Sequence, residues 1–213
     1  MISGAAATAG ALARSGPLTA VPPGPESTPI LPPVADPVKV APASSLDPGL
    51  MRKALAALDR HAHAIPLRDR IAIADFSAPS SQARLHFLDV ASGEISRLHV
   101  AHGIGSDPRH TGFLQSFSND FGSNASSEGA FLTSDYYVGK HGRSQRLVGL
   151  DPTNNNALDR AIVIHGAWYA NADMIATHGK LGRSQGCFAV GENALDIVFG
   201  HLGQGRLLYA ART

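Results

Sequence analysis

Between residues 70 and 190 the chain is cut into short runs of aliphatic and β-branched residues, each only four to seven positions long. RIAIADF at 70–76, RLHFLDV at 84–90 and ISRLHVA at 95–101 set the pattern, and the turn ASGE at 91–94 makes the last two a hairpin. Runs of the same kind recur at 129–133, 135–138, 146–150, 161–165, 187–190 and 206–210. Helical spacing shows in two places only. Asp47 reads as an N-cap with Pro48 in the first helical position, Met51, Ala54, Leu55 and Leu58 repeat along one face to about residue 64, and Leu46 is placed to staple onto Met51. A second helix is expected at 193–202. Many short strands with one or two peripheral helices predict a mainly β fold, a β-sandwich or barrel-like domain.

The N-terminal part cannot contribute to that core. Ten of the 14 prolines lie between Pro17 and Pro48, among small residues with few charges, a composition that favours extended polyproline-like backbone. Residues 16–46 are therefore expected to be a linker and 47–213 the folded domain. Residues 1–15 are rich in Ala and Gly and offer Ala11-Leu12-Ala13 as a cleavage-type site before Arg14, which reads as the remnant of an export signal; a disordered tail is the plainer alternative. With 18 Lys and Arg against 17 Asp and Glu, charge supplies no reason to expect nucleic acid as a partner. No stretch approaches the roughly 20 apolar residues of a membrane-spanning helix.

Cys187 is the single cysteine, so it forms no disulfide within the chain and is a core filler, an intermolecular link or a reactive group. It sits in GRSQGCFAV, where Gly186 allows a substrate close to the backbone. A cysteine nucleophile needs a base or a positive environment, and backbone N–H groups to receive an oxyanion. Among ten histidines His165 is the best base, because AIVIHG reads as a buried strand that delivers a side chain to a cleft. The glycines at 166, 179 and 182 let the chain loop back to bring Cys187 beside it. The polar loops 116–129 and 151–160 are where binding groups would gather.

His165-Gly166 followed by Ser184-Gln185-Gly186-Cys187 resembles the H-G and [S/T]-x-G-C motifs of the L,D-transpeptidase catalytic domain, the YkuD-like family of bacterial cell-wall enzymes. SSEGAF at 126–131 is similar to that family's T-P-x-G-x-F segment, and the run from Tyr136 through His165 resembles its murein L,D-transpeptidase branch. Phe188 stands where that branch has proline, and no arginine follows two positions after Cys187.

The resemblance implies that Cys187, paired as thiolate with His165, attacks a peptidoglycan stem peptide, with Gly186 and Cys187 N–H groups receiving the oxyanion. It implies catalytic roles for Cys187, His165, Ser184 and Gly186, and substrate contacts from Arg183 and Gly166, with Arg183 taking the carboxylate; His178 and His141, in Gly-flanked loops that can face the cleft, are added as candidate substrate contacts. Ser184 has a plainer role in holding the turn through its hydroxyl. No metal or cofactor is implied; the expected partner is the stem peptide, with no nucleic acid, and the expected state is an exported monomer in the periplasm or cell wall. An L,D-carboxypeptidase using water as acceptor and a non-catalytic wall-binding module are the alternatives. A zinc peptidase is disfavoured because neither H-E-x-x-H nor a cysteine pair is present.

Overall fold

In the computed structural model, which describes residues 46–213, Asp47 opens the helix α1 (Pro48–Arg60) by accepting the Leu50 N–H on its carboxylate at 2.8 Å. Pro48 occupies a position whose N–H would have no helical partner. Leu46 is buried in the same cluster as Leu50, with Met51 packed against it, so the expected staple forms. The helix ends at Arg60, short of residue 64, and the chain continues as turns. The proposed export signal and residues 16–45 of the linker lie outside the described residues.

The strands are β1 (Arg70–Asp75), β2 (Leu85–Asp89), β3 (Ile95–Leu98), β4 (Gly129–Gly139), β5 (Gly142–Gly149), β6 (Val163–Gly166), β7 (Phe188–Val190) and β8 (Leu207–Ala211). They form one eight-stranded sheet in the order β3-β2-β1-β8-β4-β5-β6-β7. The sheet is mixed: β1 runs parallel to β8, and β6 parallel to β7. The runs 129–133 and 135–138 are one strand, β4, whose pairing with β5 shifts register between Thr133 and Tyr136. The mainly β expectation holds, with three α-helices rather than one or two. Besides α1 these are α2 (Ala172–His178) and α3 (Leu195–Leu202). Sequence periodicity does not reveal α2 because it is two turns long and buries none of its residues.

Strand alternation divides the core between the two faces of the sheet. In β1, Ile71 and Ile73 join Leu207 and the buried face of α1, while Ala72 and Ala74 join Phe87, Phe131, Phe188 and the Val198 and Phe199 of α3. None of the described helices is long and apolar enough to cross a membrane.

Candidate active site

The parallel pair β6 and β7 brings the histidine and the thiol together. Ile164 pairs with Phe188 and His165 with Ala189, so Cys187, one residue before β7, falls beside Val163. A repeat of two along each strand then points His165 and Cys187 from the same face as diagonal neighbours. Both line one cavity of about 400 Å³, together with Lys140, His141, Arg160 and Arg183. Beyond β7 the sheet ends, and a single bridge from Ala101, whose N–H donates to the Ala189 carbonyl at 2.8 Å, covers its outer edge.

The turn leading to the thiol is closed by Ser184. Its hydroxyl donates to the Cys187 carbonyl at 2.7 Å and accepts the Gly186 N–H at 3.1 Å. Gly186 adopts φ +112°, and a Cβ there would lie 2.7 Å from the Ala125 carbonyl oxygen, so glycine alone fits. In this resting geometry the Gly186 N–H, one of the two expected oxyanion donors, is held by Ser184.

Electrostatics bear on a second expectation. The thiol is 7% exposed, and burial pushes its pKa up, opposed by the Val163 N–H, Lys140 and Arg160. Burial pushes His165 down, with His141 and Lys140 acting in the same direction. Both shifts disfavour the charged forms that the expected thiolate–imidazolium pair needs. The tautomer follows from one hydrogen bond. His165 Nδ1 lies 2.9 Å from the Gly166 carbonyl, which only accepts, so Nδ1 carries the proton and Nε2 keeps the lone pair.

Of the other sequence-predicted residues, His141 lies in the β4–β5 turn and stacks on His165 with ring centroids 4.3 Å apart. Arg183 lines the cavity while its guanidinium donates to the Asp107 and Pro108 carbonyls. Gly166 acts through its carbonyl on His165. His178 is not brought in: it is exposed at the end of α2 and does not line the cavity.

A family model described as the L,D-transpeptidase catalytic domain matches residues 42–211. The chain belongs to that family. Solved structures similar to it include an L,D-transpeptidase from Mycobacterium smegmatis, at 10% identity and TM-score 0.42, aligned over 67% of this chain and 58% of that one. An L,D-transpeptidase from Xylanimonas cellulosilytica gives 15% identity and TM-score 0.41 over 74% and 68%. The helical cell shape determining protein of Campylobacter jejuni gives 11% and 0.44 over 68% and 48%. The chain thus spans less than two-thirds of the length of the first and third of these. No curated protein matches the sequence.

This L,D-transpeptidase domain also uses residues that sequence reasoning missed. Arg160 donates to the Ser118 carbonyl, Ser127 Oγ, Ser123 Oγ and the Ala125 carbonyl at 2.6–3.1 Å, pinning loop 116–129 to the cavity wall. Asn119 Nδ2 ties the same loop to Asn155 Oδ1 at 2.7 Å. The Tyr169 phenol lines the cavity and is pushed up to about 12 by burial and by its nearness to Cys187, so it stays protonated. Ala161, whose carbonyl accepts from Cys187 Sγ at 3.6 Å, has φ +53°, an uncommon conformation for a residue with a Cβ. Only the polarity of loops 116–129 and 151–160 hinted at these contacts. Among the described residues no three His, Cys, Asp or Glu side chains gather as a metal site.

Proposed function

We propose that the protein is a cysteine-dependent murein L,D-transpeptidase that works through a thioester on peptidoglycan stem peptides. The observation that carries this reading is the placement of Cys187 and the His165 lone pair on one face of β6 and β7, in a cavity lined by Lys140, Arg160 and Arg183 and by no carboxylate. Such a cavity suits a substrate bearing carboxylates, as stem peptides do.

His165 Nε2 takes the Sγ proton as sulfur attacks the carbonyl carbon of the L,D-configured bond. The carbonyl π electrons move to oxygen, and the Cys187 N–H receives the resulting oxyanion, joined by Gly186 when its N–H leaves Ser184. The oxyanion collapses, the C–N bond breaks, and the imidazolium returns its proton to the departing D-amino acid. A stem amine then attacks the thioester, His165 takes the amine proton, and sulfur leaves to regain it. Water in place of the amine gives the carboxypeptidase outcome at the same site. Stem peptides lie outside the cytoplasmic membrane, so this function requires export, consistent with the Ala/Gly-rich residues 1–15 and the proline-rich spacer.

Intact mass after incubation with a tetrapeptide-containing muropeptide tests the reading. The expected result is a mass gain equal to the stem less the departing free D-amino acid, absent in Cys187→Ala. Crosslinking or trimming at the parent rate by a folded Cys187→Ala variant would overturn it.

A further inference from the structure

Behind the thiol turn lies a charged cluster that the reaction does not touch. Arg84 has no exposed surface, yet it is a full guanidinium in the core. Its Nε and Nη2 donate to the Val100 carbonyl at 3.0 Å, its Nη1 to the Ala78 carbonyl at 2.8 Å, and its Nη2 also to His102 Nδ1 at 2.7 Å. Arginine only donates, so Nδ1 accepts and the His102 proton sits on Nε2. That nitrogen faces Asp107, 3.4 Å from Oδ2, and makes no hydrogen bond. The buried Asp107 carboxylate is held by the Thr111 N–H and the Gly112 N–H at 2.8 Å and by the Thr111 hydroxyl at 3.0 Å. The result is a cation, a neutral imidazole and an anion in line, all buried.

The segment this cluster pins is the one on which the thiol turn is built. The His102 carbonyl accepts the Ser184 N–H at 2.9 Å, and the Ile104 N–H donates to the Ser184 carbonyl at 2.8 Å. The Gly103 N–H donates to Ser126 Oγ at 3.0 Å, which donates in turn to the Gly186 carbonyl at 3.3 Å. Gly103 packs so closely that a Cβ there would stand 2.8 Å from the Gly186 backbone. The Asp107 carbonyl takes the Arg183 guanidinium, and the Ala101 N–H holds Ala189. Every contact falls between Arg183 and Ala189, on both sides of Cys187. A second route runs through Phe76: the Arg84 guanidinium lies 4.8 Å from its ring centre, His102 meets its edge, and the ring stacks on Phe188, the residue after the thiol.

Burying an ion pair costs desolvation energy that well-packed apolar side chains avoid, so stability alone is a poor reason for the cluster. Geometry is a better one. Acyl transfer needs Sγ, the His165 lone pair and the oxyanion donor placed within fractions of an ångström, and turns cannot hold that without support from behind. We propose that Arg84, His102 and Asp107 are positioning residues that hold the Arg183–Ala189 turn, and with it the Cys187 sulfur and N–H, in the geometry that acyl transfer requires. This rests on the reading of Cys187 as the nucleophile.

The test compares His102→Leu, which removes the Nδ1 acceptor of the Arg84 guanidinium, with His102→Asn, whose Oδ1 can stand where Nδ1 stood. Thermal melting, iodoacetamide alkylation of Cys187 and muropeptide acylation are measured on each full-length variant. The expected result is that His102→Leu melts as a folded protein but loses about tenfold or more in kcat with little change in KM, and alkylates at an altered rate, while His102→Asn recovers most of both. Parental alkylation and acylation in folded His102→Leu would overturn the proposal, as would a His102→Asn variant no faster than it. If His102→Leu does not fold, Asp107→Asn carries the test: slowed acylation supports the proposal and parental kinetics overturn it. Alkylation needs no stem peptide. A parent that alkylates but forms no muropeptide adduct would therefore defeat the proposed function, while an alkylation rate that still responds to His102 would leave the positioning role standing.

Discussion

Burial moves the two reacting groups in opposite directions, Cys187 up and His165 down, and each shift favours the neutral form. The free thiol should therefore be sluggish toward simple alkylation at neutral pH. The iodoacetamide rate should rise with pH to a midpoint above the about 8.5 of an ordinary thiol. A midpoint at or below that value would restore the thiolate–imidazolium pair. His165→Ala should lower stem-peptide acylation by about 10²–10⁴-fold, the usual worth of a positioned general base, measured by single-turnover mass spectrometry. The identities of these two residues were legible in the sequence, since each stands in a short motif with glycine at its side. The directions in which their pKa values move were not, because they depend on how deeply β5, β6 and the β4–β5 turn enclose the pair. Nor were Arg160 and Lys140, which reach the thiol from loops whose sequence shows only polarity.

At the scale of elements, the strands were legible because each is a short apolar or alternating run ending at a turn, and that signal survives without knowledge of partners. Pairing order was not, because it depends on contacts between distant segments: β8, the last strand, inserts between β1 and β4. The same limit hid the Arg84 cluster, in which an arginine before β2 meets a histidine after β3. Loop 116–129 shows what such contacts contribute. Its conformation hangs on Arg160, and replacing Arg160 by alanine removes four hydrogen bonds and one of the cations that oppose the rise in the thiol pKa. Arg160→Ala is expected to lose about 2 kcal/mol in urea unfolding and to move the alkylation midpoint further up. An unchanged midpoint would mean that the guanidinium does not act on sulfur. Gly186→Ala is the complementary case at the turn. With φ +112° and the Ala125 carbonyl in the way, it is expected to cost about 1–3 kcal/mol and to displace the thiol, read as loss of acylation in a protein that still melts cooperatively.

For the whole molecule, acid is the condition that most directly tests how the histidines are buried. His102 is pushed down to about 4, by burial first and by Arg84 second, with Arg183 acting in the same direction. The Asp107 carboxylate opposes them and does not prevail. His86, His99, His141, His165 and His201 are also lowered, each chiefly by burial. In the unfolded chain all six recover an ordinary pKa of about 6.5, so on acidification the unfolded state binds protons that the folded state refuses. Their contribution to stability is complete above pH ~6.5, shrinks as pH falls through the window down to the folded-state values, and for His102 is gone below about 4. For His102 alone the loss amounts to about 3 kcal/mol, on the scale of ~1.36 kcal/mol per tenfold change in proton affinity. Asp69 acts in the same direction but below that window: its hydrogen bonds with Arg206 hold the carboxyl far below the usual carboxylate range, so its contribution persists until pH falls below about 4 and is lost only there. The melting temperature should therefore stay level from pH 8 to about 7 and fall steeply between pH 6.5 and 4. His102→Asn, which removes the largest single contributor, should flatten that fall. A melting temperature indifferent to pH across the window, or a slope unaltered by His102→Asn, would show that His102 takes up its proton in the folded protein as readily as in the unfolded chain.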